Sequence, residues 1–212
     1  GRIHTPFAVI TGYYDNFLSF DTLIKEQKGK LFDKSSQEEE MLQYLLSEIE
    51  NAENTKIEKK FADAFEVFEK GFLDSTFRGH LLKLLKTSNS DDPTEIKKNL
   101  ALLRSLQEQV LQTLNKKDNR IVPDIMCQPN VSFCAIHKHL SGNKDRNRNY
   151  QTTTTVWQNN WIESLSACIY GIASDNGSHN PYDNTPLPSK YTIQSLKFAF
   201  LEQLIWFKKL MS

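Results

Sequence analysis

The densest gathering of metal-binding side chains is Cys127-x6-Cys134-x2-His137-x-His139, four candidate zinc ligands within a short stretch. Structural zinc usually draws two ligand pairs from either side of a loop of a dozen or more residues. Here His137 and His139 alternate, so they share a face on a strand and diverge on a helix. The pattern is read as two small buried thiols and two surface histidines, and no metal site is assigned. Cys168, His179 and Asp183 supply the residue types of a thiol nucleophile with its base and orienting acid. Cys168, however, falls in the middle of an expected helix with no base at helical spacing. A reactive thiol favours a helix N-terminus or a cationic neighbour. The chain has no G-x-S-x-G, no phosphate-binding glycine loop and no H-E-x-x-H. Neither a catalytic residue nor a cofactor is assigned.

The elements that would position such groups divide near residue 121. Residues 1–121 carry 18 Lys+Arg and 20 Asp+Glu, which leaves 8 and 6 for residues 122–212. All three cysteines lie in that less charged part. The first part reads as a helical bundle or hairpin and the second as a small mixed domain, giving 1–120 and 121–212. Ser36 and Glu39 have capping-box spacing ahead of Met41, Leu42, Leu45, Leu46 and Ile49. Residues 51–55 are a plausible break. Ile57, Phe61, Phe65, Phe68 and Phe72 form a second stripe. Asp92-Pro93-Thr94-Glu95 supplies an N-cap, a proline at the first helical position and an acidic first turn. The helix it opens carries Ile96, Leu103 and Val110 seven apart and should reach about Lys116, long enough for a hairpin or a dimer seam. The aromatics of residues 7–20 read as a helix packing on the bundle, or as a docking surface. In the second part, Thr152–Trp157 is β-prone, Asn160–Gly171 has helical spacing, and Ser195 is placed to cap a last helix.

Composition bounds the class. The chain has 212 residues, 39% of them hydrophobic and 25% charged, with a formal net charge of zero. It is too apolar for a disordered chain and has no uncharged apolar stretch of membrane-spanning length. Zero net charge argues against a bulk nucleic-acid binder. The start lacks a basic segment followed by an apolar core, so no signal peptide is expected. An odd cysteine count without framework spacing favours a reducing, cytoplasmic compartment. The Asn/Lys-rich, Gly-poor composition leaves room for a microbial effector in a host cytoplasm.

Residues 121–187 resemble a U-box, the zinc-free relative of the RING finger in ubiquitin ligases. Val122-Pro123-Asp124-Ile125-Met126-Cys127, followed by Val131-Ser132-Phe133, resembles the U-box opening. Val156–Glu163 resembles its strand and the start of its central helix. Asn180-Pro181-Tyr182-Asp183-Asn184-Thr185-Pro186-Leu187 resembles its second loop. The helix before residue 121 is similar to the hairpin that leads into the U-box of the chaperone-associated ligase.

The resemblance implies an α+β chain, an N-terminal helical bundle followed by a small U-box-like domain. It implies a ubiquitin ligase that binds a ubiquitin-conjugating enzyme and steers its ubiquitin to a substrate lysine without a covalent step of its own. Carried over by position, the enzyme-binding residues would be Val131 and Phe133 in the first loop and Leu165 (or Ser164) on the central helix. Pro181, Tyr182, Asn184 and Pro186 would serve in the second loop. Asn184 stands where the family often has Arg or Lys, and Gln158 replaces an Asp. The implied partners are a conjugating enzyme, ubiquitin, a protein substrate and a second copy of the chain, with no metal or cofactor. The competing reading is a non-enzymatic helical adaptor that captures a partner through the aromatics of 7–20 or the stripe Phe61–Phe72.

Overall fold

A computed structural model describes residues 7–13, 21–128, 133–142, 155–177 and 188–212, with side chains through 174 in the fourth stretch. Its contacts divide the chain between Lys60 and Phe61 into two compact units, so the composition shift near residue 121 falls inside the second.

In the first unit, β1 (Phe7–Thr11) and β2 (Gly29–Asp33) pair in parallel, with Phe7 opposite Gly29 and Thr11 opposite Asp33. A parallel pair needs a crossover rather than a hairpin. Residues 21–26 of that crossover are helical. Phe7–Thr11 is therefore extended, not part of the bundle helix the aromatics of 7–20 suggest, and residues 14–20 lie outside the described residues. Lys28 turns the chain with φ of 60°, and Gly29 lets it close. A Cβ there would stand 2.6 Å from the Phe7 ring and 2.9 Å from Ile24. Leu31 and Phe32 are buried.

Asp33 then organises the turn into α1 (Glu38–Lys60). It accepts from the Ser35 backbone N–H at 2.9 Å and the Ser36 hydroxyl at 3.1 Å, and its own N–H donates to Gln37 Oε1 at 2.9 Å. Ser36 is thus spent on Asp33 rather than on a capping box. The three glutamates of the first turn and two lysines of the last suit the helix dipole, and the helix runs unbroken through 51–55. Tyr44 holds α1 to β2: its ring lies 5.6 Å from that of Phe32, and Lys30, over the Phe32 ring at 4.9 Å, donates to Glu40 at 2.8 Å. None of the residues of α1 is buried.

The second unit is helical: α2 (Ala62–Glu69), α3 (Ser75–Thr87), α4 (Pro93–Lys117), a 3-10 turn at Asp124–Cys127, α5 (Phe133–Leu140), α6 (Asn160–Gly177) and α7 (Lys190–Met211). Asp92 caps α4 by accepting from the Thr94 N–H at 2.8 Å, with Pro93 first in the helix. Asp74 caps α3 in the same way through Phe77. α4 is the central rod, packed by α3, α6 and α7, and α5 lies on α6. Its stripe Ile96, Leu100, Leu103, Val110 and Leu114 is buried inside this unit, so it is not the exposed seam of a dimer. Three residues of the phenylalanine stripe likewise pack within this unit: Phe65 is buried, Phe68 packs on Phe77 at 6.0 Å, and Phe72 meets Phe207 edge-on at 6.5 Å.

This overturns the α+β expectation. Residues 121–212 build no U-box sheet among the described residues; residues 155–157 are not in a strand. The physical reason is spacing. Ile162, Ser166, Ile169 and Ala173 on α6, and Ile193, Leu196, Phe200, Leu204 and Phe207 on α7, recur at helical intervals, and all are buried. The two helices close one core with α4 instead of a separate small domain.

Candidate binding surface

Because α7 buries one face, its other face is left to solvent. Phe198, between the buried Leu196 and Phe200, is 52% exposed. Its ring meets Phe61 at 6.3 Å in an edge-on contact, and Lys197 Nζ sits 4.7 Å over it. Phe61 is in position because it joins α1 to α2, its carbonyl accepting from Ala64 and Phe65 as α2 begins. Leu165 from α6 and Ser195, Leu201, Glu202 and Ile205 from α7 complete an apolar groove of about 400 Å³. One turn before Leu165, Trp161 is 51% exposed. An aromatic cluster with a rim of one lysine and one glutamate can bury apolar side chains of a ligand.

Of the residues expected to bind a conjugating enzyme, Phe133 and Leu165 are among the described residues. Leu165 lines the groove and is half-buried. Phe133 opens α5 and packs its ring on Tyr170 at 5.2 Å. Val131, Pro181, Tyr182, Asn184 and Pro186 lie outside the described residues, as do His179 and Asp183. Cys168 is exposed on α6.

The four zinc candidates diverge, as a helix requires of alternate positions. No three His, Cys, Asp or Glu side chains among the described residues could hold a metal ion together. Cys127 is exposed, and burial with the nearby Asp124 charge raises its thiol pKa. His137 is buried against Gln158. Gln158 Nε2 donates to the His137 carbonyl at 2.6 Å and to Ser141 Oγ at 2.9 Å, so its Oε1 receives the His137 Nδ1–H at 3.2 Å. That fixes the tautomer and leaves Nε2 buried without a partner among the described residues. Burial pushes the His137 pKa down to about 4, against a small opposing pull from Gln158. His139 turns the other way, toward the backbone of Arg120 and Ile121, and desolvation lowers its pKa too. Both are neutral core groups, which reverses the expectation of surface histidines, and Cys127 is exposed where a buried thiol was expected.

A second buried polar cluster ties α4, α6 and α7. Gln107 Nε2 donates to the Ser166 carbonyl at 3.2 Å and to Gln203 Oε1 at 3.4 Å. Gln203 Nε2 donates to Ser166 Oγ, which donates to the Ile162 carbonyl at 2.7 Å. All three side chains are at most 2% exposed. This is structural polarity, which pins the register of three helices.

Sequence reading offered Phe61 as part of a partner-capturing stripe, but assigned Phe198 to the last helix without marking it as surface. The available signal was that α7 is apolar on more than one side: Phe198, Leu201 and Ile205 lie off the Ile193–Leu196–Phe200–Leu204–Phe207 face. No described helix is long and apolar enough to cross a membrane. Comparison with known proteins brings no match to a family model, a curated protein or a solved structure.

Proposed function

We propose that the chain is a non-enzymatic helical adaptor. Its second unit uses the Phe61–Leu165–Phe198 groove to hold the apolar face of a helix from a partner protein. The observation that carries this reading is Phe198, a phenylalanine held half in solvent by Phe61 on a helix whose opposite side supplies the core. A groove of about 400 Å³ takes a few apolar side chains. Helix-in-groove recognition places such anchors at i, i+3, i+4 and i+7. Glu202 in the lining and Lys197 over Phe198 give the rim both signs of charge, which suits a partner helix with apolar anchors flanked by Lys and Glu.

The ubiquitin-ligase reading loses its main support with the U-box sheet. The contacts that would bring it back lie at Val131 and in the Pro181–Pro186 loop, outside the described residues. One pair of experiments separates the two readings. Partners captured by the wild-type chain and by Phe198→Asp are compared, with crosslinks mapped to Lys197. Loss of a partner in the variant, with its wild-type crosslink at Lys197, supports the adaptor. Identical partner sets for both chains defeat it. Ubiquitin chains formed with a panel of conjugating enzymes, and unaffected by Phe198→Asp, would replace it with the ligase.

A further inference from the structure

The first unit leaves a second apolar face. Leu42, Leu46 and Ile49 on α1 are 51%, 59% and 64% exposed. At 100° per residue they fall within a 60° sector, and Tyr44, which faces β2, is about 200° from Leu42. The stripe therefore points away from the sheet that α1 packs on. A helix of this length owes most of its stability to packing of an apolar face, yet none of the residues of α1 is buried.

The flanking charges say what covers the stripe. Leu42, Ile49 and Lys56 form one heptad column, and Glu39, Leu46 and Glu53 form the other. In an antiparallel helix pair each column faces the opposite column of its partner. Setting Leu46 against Ile49 of a second copy then places Glu39 against Lys56 and, on the flank, Glu38 against Lys59. Each contact occurs twice by symmetry. Parallel pairing would instead oppose Glu39 to Glu39 and Lys56 to Lys56. Leu42 would meet the stem of Glu53, a cost the charge pairs offset.

We infer that α1 is a self-association surface, on which two copies of this chain pair antiparallel through Leu42, Leu46 and Ile49 with Glu39–Lys56 bridges across the seam. Three apolar side chains per copy make a small contact, near the lower limit of about 1,000 Å² for a specific interface. The dimer is accordingly a weak, concentration-dependent one. It rests on α1 and is independent of the groove on the second unit.

Sedimentation equilibrium of the full chain over a range from ~1 to 500 µM tests this. The expected result is a monomer–dimer equilibrium. Leu46→Glu should weaken it more than tenfold, which is over 1.4 kcal/mol. Glu39→Lys should weaken it about two- to tenfold. Glu39→Lys combined with Lys56→Glu should restore the wild-type constant, because the bridges re-form with their signs exchanged. In a parallel pair Glu39→Lys would only exchange one like-charge pair for another and leave the constant unchanged. Circular dichroism of each variant at low concentration checks that the monomer is folded. A chain that stays monomeric throughout, a dimer indifferent to Leu46→Glu, or a double variant that is not rescued overturns the proposal.

Discussion

Phe198 and Phe200 are two residues apart on α7 and have opposite fates. Phe200 is fully buried, stacked on Phe77 at 6.3 Å, while Phe198 stays half in solvent against Phe61. One ring closes the core, and the other stays at the surface.

Truncating each ring should separate stability from binding. Phe200→Ala removes a buried side chain and should cost about 3–5 kcal/mol, read as a lower urea midpoint. Phe198→Ala should cost under about 1 kcal/mol and abolish partner capture. A variant that loses as much stability at position 198 as at 200 would make Phe198 a core residue.

The Gln107–Ser166–Gln203 cluster should behave non-additively. Gln107→Leu or Gln203→Leu alone leaves a buried amide short of partners and should cost about 1–3 kcal/mol. The double variant removes both amides and should cost less than the sum of the two. Urea unfolding of the four proteins of the cycle measures the coupling, and simple additivity would mean that the amides do not act together.

His137 sets a pH dependence. Its native pKa of about 4 lies below its ordinary 6.5, so the unfolded chain takes up the proton first. Stability from this group is complete above about pH 6.5 and falls as the pH drops toward 4, by about 3 kcal/mol in all. His139 is shifted in the same direction and adds to the loss. His137→Gln should flatten the stability curve between pH 4 and 6.5. An equally steep curve in the variant would assign the effect elsewhere.

The candidate zinc ligands give a further check. Cys127 is exposed while His137 and His139 diverge inside the fold, so chelators should leave the melting temperature unchanged. A fall of several degrees on adding EDTA would mean that these side chains meet after all.

Local chemistry determined much of this fold directly. Asp92-Pro93-Thr94-Glu95 starts α4 where a proline without an N–H and a capping carboxylate require, and the heptad-spaced Ile96, Leu103 and Val110 carry it on toward Lys117. Tertiary structure decided which apolar faces meet each other. Spacing alone does not distinguish the α4 stripe, which is buried by α3, α6 and α7, from the Leu42–Leu46–Ile49 stripe, which is not. It does not distinguish Phe200 from Phe198 either. Burial belongs to a pair of surfaces, and a single helix records only its own half. The same limit explains the U-box expectation: short matching segments specify local turns, but whether residues 121–212 stand alone or join α4 depends on a core contributed from elsewhere in the chain.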